Sequence, residues 1–244
     1  MKRRKRKNKH QFLKSFELEI NNLKKCYYLW DYLPKNNFNQ NGISKCILDF
    51  KDNNNIQVQS LSKIASEACQ SVFSNNIDIV IRALGHDEVL VQETNRPLDS
   101  LGRQISTAIN AEYHPNFLNK TEKNSSLKFL SKENRVNELH GKYIFKSPLD
   151  KLNLSVLLID DITTTGSTIK EICRAINVQL PGSNIYFFAL GKTKSKTTFI
   201  PENKISEVQL NNLREIFSNP DNEIISPKKK KRNLEAGIKN AYSK

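Results

Sequence analysis

The sequence predicts an α/β domain in which a parallel sheet is covered by helices on both faces. Two observations predict this class. Short apolar runs with the length of strands lie at residues 77–81, 154–159 and 185–190. Segments with helical spacing alternate with them, most clearly from Ser60 onward. Strand and helix patterns that alternate in this way are typical of parallel sheets flanked by helices.

The other elements are predicted from local signals. A helix is expected at residues 99–112, with Asp99 or Ser100 as its N-cap. Residues 127–130 and 142–145 are predicted strands, and a polar connection joins them.

Length and composition exclude several classes of protein. The chain has 244 residues, of which 37% are hydrophobic and 26% charged, enough for one sizeable domain and unlike a disordered chain. No apolar run approaches the roughly 18 residues of a membrane span. The basic start is not followed by an apolar stretch, so no secretory signal is expected. Four scattered cysteines predict neither a zinc ribbon nor a disulfide framework, which favours a cytoplasmic location.

The formal net charge of +14 is concentrated in two short clusters. Residues 2–9 hold seven basic residues and residues 228–232 hold five; without these twelve of the 39, 27 basic residues face 25 acidic ones. Such clusters are typical of solvated tails. The alternative is contact with nucleic acid or another anionic surface. The residues that would make this contact are Lys2, Arg3, Arg4, Lys5, Arg6, Lys7, Lys228, Lys229, Lys230, Lys231 and Arg232.

The most informative segment runs from residue 156 to residue 168. Its apolar start is a predicted strand, Asp160 and Asp161 follow, and a hydroxyl-rich turn with Gly166 leads into a helix. Ligands bind at the carboxyl ends of parallel strands, where this turn is expected. The free N–H groups of the helix start suit a phosphate monoester. The two carboxylates can accept hydrogen bonds from ribose hydroxyls, directly or through a metal ion. One loop can thus hold both ends of a ribose 5-phosphate.

An unrelated acidic loop that caps a helix would contain the same residue types. A P-loop nucleotide-binding protein is disfavoured because no Gly-Lys-Ser or Gly-Lys-Thr follows the strand.

The segment resembles, at nearly every position, the phosphoribosyl-pyrophosphate (PRPP) binding motif of type I phosphoribosyltransferases. The resemblance implies that fold, with a small hood beside the sheet. It also implies that Asp160 and Asp161 hold the ribose hydroxyls, and that Mg²⁺ is carried by PRPP near these carboxylates. The residues that would bind the 5-phosphate are Thr163, Thr164, Thr165, Gly166, Ser167 and Thr168.

Within that family the chain is most similar to the ComF-like branch. Residues 127–143 match a segment that, in the family, folds over bound PRPP with a basic residue facing pyrophosphate. By that match Arg135 would stabilise pyrophosphate, with Lys132 as its neighbour, and residues 131–141 would form a lid. The alternative for both basic residues is a solvated hairpin tip.

Two further arginines are candidates for binding pyrophosphate. Arg82 occupies the place of the family's pyrophosphate loop, and Arg96 is the one residue retained from an Arg-Gly-Phe-Asn-Gln stretch of ComF-like proteins. A guanidinium group suits phosphate oxygens because it can donate two parallel hydrogen bonds. Arg103 competes with them for this role.

The chain also departs from the family. It lacks the cysteine zinc ribbon of many ComF-like proteins, and Thr164 stands where the hypoxanthine-guanine branch has an aspartate that serves as base. The expected organisation is a basic tail (1–10), an extension or hood (11–59), a phosphoribosyltransferase core (60–193), a C-terminal extension (194–226) and a second basic tail (227–244).

The expected function is transfer of a phosphoribosyl group from Mg-PRPP to a nucleobase-like acceptor, with release of pyrophosphate. The alternative is a non-catalytic PRPP or nucleotide sensor of the same fold that contacts nucleic acid through its basic tails. No membrane partner is expected, and a homo-oligomer is left open.

Overall fold

The protein is built around a six-stranded sheet. The computed structural model describes residues 13–34, 42–91, 96–123, 132–149 and 153–194. The strands are β1 (Lys14–Phe16), β2 (Leu23–Tyr32), β3 (Ile79–Arg82), β4 (Glu112–Tyr113), β5 (Leu118–Lys120), β6 (Tyr143–Phe145), β7 (Ser155–Thr163) and β8 (Asn184–Thr193). The helices are α1 (Gly42–Lys51), α2 (Asn55–Phe73), α3 (Pro97–Ile109), α4 (Lys132–Leu139) and α5 (Ser167–Gln179).

The central sheet has the strand order β1-β2-β8-β7-β3-β4. All neighbouring strands in it run parallel, except that the edge strand β1 is antiparallel to β2. Strands β5 and β6 form a separate antiparallel pair. The predicted α/β class, with a mostly parallel sheet, is therefore confirmed.

Helices cover both faces of this sheet. On one face α1, α2 and α3 contribute Ile47, Leu61 and Leu101 to a continuous apolar cluster. On the other face α5 packs through Ile172 and Ile176, in the same cluster as the β5–β6 pair. Burial of each such side chain stabilises the fold by about 1.5–3 kcal/mol.

Strand β7 holds the middle of the sheet because its apolar run is buried on both faces. Residues 156–159 are 0% exposed, as is typical of a central parallel strand. Its neighbours are fixed in register, with Ile159 opposite Arg82 of β3 and Phe188 of β8.

The direction of winding reverses between β3 and β7. From β3 the chain passes through α3 to β4 at one edge, whereas from β7 it passes through α5 to β8 toward the other edge. Helices α3 and α5 lie on opposite faces. A crevice therefore opens at the carboxyl ends of β3 and β7, and such a reversal is where open α/β sheets bind ligands.

Two predicted elements have different boundaries in the structure: strand β7, and helix α3, which also ends early at Ile109 so that Glu112 lies in β4. Strand β7 continues past residue 159, because its pairing with β8 extends to Thr163 opposite Lys192. Helix α3 begins at Pro97, whose fixed φ suits a first turn. Asp99 is therefore inside the helix, and its buried carboxylate accepts a hydrogen bond from Arg82 instead of capping.

The segment before residue 60 contributes more to the sheet than the sequence analysis predicted. Its strand β2 pairs in parallel with β8 over most of its length. Cys26, Leu29 and Tyr32 of this strand are buried in the core. Helix α1 packs near the carboxyl end of the sheet, where Ile47 approaches Gly191 of β8.

The predicted strand at residues 142–145 is present as β6. Its partner is β5, which the sequence analysis did not predict. The intervening segment contains helix α4, where a polar connection was expected. Residues 127–130 and both basic clusters lie outside the described residues.

Candidate functional site

The two carboxylates of the motif lie near the end of strand β7, on opposite faces of the sheet. Successive residues of a strand point to opposite sides. Asp161 faces α1, because one of its oxygens lies 3.0 Å from Nζ of Lys51. Asp160 faces the β5–β6 pair, because it interacts electrostatically with Tyr143 and Lys120 of those strands. A ligand that uses both carboxylates must therefore lie across the end of the strand.

Lys51 neutralises Asp161 on the α1 side. The Asp161 side chain is 13% exposed, whereas that of Lys51, at the end of α1, is 57% exposed. The charge of Asp161 raises the pKa of Lys51, so the lysine stays protonated. Asp161 also accepts a hydrogen bond from the N–H of Ile162 at 2.6 Å, which fixes its carboxylate.

The surroundings of Asp160 disfavour its charged form. Its environment raises the pKa well above that of an ordinary aspartate, first through burial and then through the charge of Asp161. Its carboxylate accepts a hydrogen bond of 2.8 Å from the N–H of Asp161. A cationic partner that reached this carboxylate would therefore favour its ionised form.

The turn after β7 brings hydroxyl groups to the start of a 13-residue helix. Gly166 has φ +80° and immediately precedes α5. A backbone at this positive φ favours glycine. A Cβ there would also lie 2.7 Å from a methyl carbon of Leu18, whose side chain would have to move. The hydroxyl groups of Thr165 and Ser167 are 3.0 Å apart, while Thr163 is buried. The free N–H groups of α5 and these hydroxyls form a surface suited to an anion.

Arg82 is not available to bind pyrophosphate, which corrects the sequence-based assignment. Its side chain is 0% exposed. It donates two hydrogen bonds to Glu88, at 2.7 and 2.9 Å, and one of 2.8 Å to Asp99. Tyr113 donates to the same Asp99 oxygen at 2.7 Å. Arg82 therefore ties the loop after β3 to α3 from inside the protein.

Arg96 lies at the surface end of the same network. Its guanidinium contacts Asp87 at 3.0 Å and Glu88 at 3.1 Å, and its side chain is 41% exposed. Hydrogen bonding to Arg96 lowers the pKa of Asp87 strongly. Arg103, the competing arginine, lies over the ring of Tyr113. Of the predicted arginines, Arg96 thus combines exposure with a position beside the loop after β3.

Lys132 and Arg135 belong to helix α4, which lies within the predicted lid. Their side chains lie outside the described residues. Leu139, at the end of α4, is buried in the cluster that also contains Ile172 of α5. One end of the predicted lid is therefore packed against the core.

Two lysines near the crevice were missed by sequence reasoning. Lys51 contacts Asp161, and Lys120 is buried beside the loop after β3. Each lysine is at least 35 residues away in the sequence from the residue that it contacts. No local sequence pattern therefore indicates either contact. In β5, Leu118 and Lys120 are buried and Asn119 between them is partly exposed, so the alternation of the strand turns Lys120 inward.

In the described part of the chain, no group of three or more His, Cys, Asp or Glu side chains is arranged to hold a metal ion. Within the same residues, no helix is long and apolar enough to cross a membrane.

Comparison with known proteins gives similarities of structure. No protein-family model and no curated protein matches the chain. A hypoxanthine phosphoribosyltransferase from Staphylococcus aureus is 15% identical, with a TM-score of 0.33, over 57% of this chain and 69% of that one. The adenine phosphoribosyltransferase of Saccharomyces cerevisiae is 16% identical, with a TM-score of 0.31, over 55% and 65%. A hypoxanthine-guanine phosphoribosyltransferase from Bacillus anthracis is 14% identical, with a TM-score of 0.34, over 57% and 73%.

Proposed function

We propose that this protein binds Mg-PRPP and transfers its phosphoribosyl group to a nucleobase-like acceptor, releasing pyrophosphate. One observation carries the proposal. Two carboxylates and a hydroxyl-rich turn with Gly166 lie together at the end of β7, in the crevice where the winding of the sheet reverses. This arrangement offers hydrogen-bond acceptors for a sugar and donors for a phosphate within one strand end.

The 5-phosphate is assigned to the turn and the start of α5. The N–H groups of a helix start carry partial positive charge and favour an anion. Thr164, Thr165, Ser167 and Thr168 supply hydroxyl donors, and Gly166 lets the ligand approach the backbone. The mixture of donors explains why phosphate would be preferred over an uncharged group.

The ribose hydroxyls are assigned to Asp160 and Asp161. Because these side chains lie on opposite faces of the sheet, the sugar would lie across the strand end with one hydroxyl toward each. Departure of pyrophosphate leaves positive charge on the sugar ring, and ionised carboxylates stabilise that charge. Lys51 lies on the Asp161 side, so the negative charge of Asp160 is the less neutralised of the two.

The oxygen donors at the strand end fit Mg²⁺, which binds through one or two carboxylates together with substrate phosphates. Asp160 and Asp161 are the residues that would hold it, and the remaining ligands would come from PRPP. When bound, the ion would neutralise the phosphate charge.

Pyrophosphate is assigned to Arg96, Arg135 and Lys132. Arg96 is exposed beside the loop after β3, and its present partners are carboxylates that a phosphate group could replace. Arg135 and Lys132 are assigned because their segment resembles the family segment that folds over bound PRPP. Arg82 is removed from it, since its donors are committed to Glu88 and Asp99.

The double variant Asp160→Asn with Asp161→Asn tests the proposal. Each lost charge-assisted hydrogen bond is worth about 1.5–3 kcal/mol, so PRPP affinity should fall by more than tenfold while the fold is retained. The measurement is calorimetric titration with Mg-PRPP, and circular dichroism monitors folding. Asp52→Asn, at an exposed position, is the matched control. Unchanged PRPP affinity in the folded double variant would remove the assignment.

A sensor of PRPP or a nucleotide is the second candidate. The observation that favours it is the pair of basic clusters, because transfer to a small acceptor needs no such charge. A pyrophosphate-release assay with a panel of nucleobases separates the two candidates. PRPP binding without release for any base would favour the sensor.

A further inference from the structure

Lys120 and Tyr143 form a cross-strand pair that reaches from the β5–β6 sheet to the loop after β3. The two residues are directly opposite in the antiparallel register. Nζ of Lys120 donates to the carbonyl of Gly85 at 2.6 Å and to that of Leu84 at 3.5 Å. The Tyr143 hydroxyl donates to the Leu84 carbonyl at 3.4 Å. Two side chains of one sheet thus hold two successive carbonyls of the neighbouring loop.

The same loop is held from the opposite side by the Arg82 network. The N–H of Gly85 donates to Glu88 at 2.6 Å, and Glu88 is bound by Arg82. The carbonyl of Leu84 and the N–H of Gly85 belong to one planar peptide group and point in opposite directions. That peptide is therefore fixed at both ends.

Lys120 is an unusual residue for this role because its charge is buried. The residue is 3% exposed. Among the described residues no carboxylate lies within ion-pair distance of its Nζ; its close partners are the two carbonyls and the Tyr143 ring, at 5.1 Å. The charges that face it are those of Glu88 and Asp87 from the loop, Asp160 from β7 and Lys142 beside β6. A lysine placed only for stability would be expected to reach solvent or a carboxylate.

Its position also links two segments. Lys120 ends β5 and Tyr143 begins β6, so they form the base of the connection that contains α4, the predicted lid. The loop after β3 lies at the crevice, beside Arg96.

We infer that Lys120 is a positioning residue for the pyrophosphate half of the proposed site, fixing the loop of residues 83–88 to the base of the α4 connection. The inference rests on the proposed function. When the ammonium group is present, the Leu84 and Gly85 carbonyls are held toward the β5–β6 sheet, and the loop keeps the form in which Arg96 lies beside the crevice. Without the ammonium group, the loop must be ordered when the ligand binds. This ordering costs free energy and lowers the affinity for the part of PRPP that the loop contacts.

The test compares Lys120→Met with Lys142→Met in the full-length protein. Lys142 lies beside the same sheet, but its ammonium group binds Glu122 and Glu138 at the surface. Calorimetry with PRPP and with ribose 5-phosphate separates the two halves of the site. Lys120→Met should weaken PRPP binding about tenfold and leave ribose 5-phosphate binding within about twofold. Lys142→Met should change neither. Equal PRPP affinity in wild type and Lys120→Met would overturn the inference while leaving the proposed function intact.

Hydrogen exchange tests the inference without PRPP. Amides of residues 83–91 should exchange about tenfold faster in Lys120→Met than in Lys142→Met, and equal rates would overturn it. If wild type binds neither PRPP nor ribose 5-phosphate, the proposed function fails and this measurement alone decides the role of Lys120.

The pH profile is a readout that packing alone would not move. Burial lowers the pKa of Lys120 to about 8. Loss of the proton weakens its hydrogen bonds to the two carbonyls. In wild type the protection of residues 83–91, corrected for intrinsic exchange, should therefore fall as the pH rises through about 8. Lys120→Arg, which stays charged, should show no such fall. The pH series on wild type does not depend on Lys120→Met, so it tests the inference even if that variant does not fold. Protection in wild type that is independent of pH would overturn the inference.

Discussion

A buried arginine organises the loop after β3, and it does so at the cost of a charge imbalance. Arg82 faces two carboxylates, Glu88 and Asp99, and one oxygen of Asp99 has no hydrogen-bond partner among the described residues. Arg96 compensates from the surface through its contact with Glu88. Removing a buried charge leaves its partners desolvated and unpaired, whereas an exposed pair contributes little.

Arg82→Met should therefore destabilise the protein by about 3–5 kcal/mol. The matched change at the exposed end of the network, Arg96→Met, should cost about 1 kcal/mol or less. Urea unfolding followed by circular dichroism measures both values. Equally small losses for the two variants would show that the buried network does not hold the loop.

Asp160→Asn should stabilise the protein in a way that depends on pH. Since the pKa of Asp160 is raised in the folded state, the folded protein binds this proton more tightly than the unfolded chain does. The unfolding free energy of wild type must then fall as the pH rises from about 4, the value for an unfolded aspartate, toward the folded pKa. Asparagine does not titrate, so the variant avoids this loss.

The two proteins should thus have similar stability near pH 4, and Asp160→Asn should be more stable by about 1 kcal/mol or more near pH 8. Thermal unfolding across this range measures the difference. The exposed Asp52→Asn variant provides the baseline. A constant difference between Asp160→Asn and wild type at every pH would contradict the raised pKa.

At the level of residues, the sequence predicted which side chains lie together in one segment better than it predicted their partners from other segments. Asp160, Asp161 and Gly166 were predicted together because they lie in one continuous segment with a strand pattern before it. Arg82 was misassigned, since its partners come from other segments and cannot be seen in the sequence. Lys120 was missed for the same reason.

At the level of elements, central strands were easier to predict than edge strands. Strand β7 is apolar on both faces, so its run of residues stands out. Strand β2 was not predicted because Lys24, Lys25 and Asp31 interrupt its apolar pattern. The strand tolerates these residues because their side chains remain partly or fully exposed, and because Asp31 pairs with Lys14 of β1.

Helix α4 lies where a lid was predicted, and its ends differ. Leu139 is buried in the core, whereas Asn134 and Asn137 are exposed. Amides of residues 132–138 should therefore exchange quickly in the free protein and slow about tenfold or more with Mg-PRPP, because a segment that closes over a ligand loses its open states. Amides of α2, which packs away from this segment in the other apolar cluster, should not change. Equal protection of residues 132–138 with and without ligand would count against a lid.

For the whole molecule, the order of strands explains the location of the site. The carboxylates, the hydroxyl-rich turn after β7 and the loop after β3 come from segments about 80 residues apart, and the reversal of winding brings them to the same edge of the sheet. The alternation of strands and helices predicted a sheet of this class. It did not predict which strands are neighbours, because that order depends on contacts between distant segments.

The charge of the whole chain leads to a last prediction. Outside the two basic clusters 27 basic residues face 25 acidic ones, so any affinity for nucleic acid should depend on residues 2–9 and 228–232. Replacing their lysines and arginines with glutamine should abolish binding to generic DNA or RNA, because each neutralised phosphate releases about 0.7–0.9 counterion. The control replaces the exposed Lys25, Lys45 and Lys123 and should have little effect. PRPP affinity should stay within about threefold in both variants, since charges are screened over about 8 Å at physiological salt.

Electrophoretic shifts at two salt concentrations and PRPP titrations provide the measurements. Tight, salt-insensitive binding that survives removal of the basic clusters would place a recognition surface elsewhere on the chain and favour the sensor over the transferase.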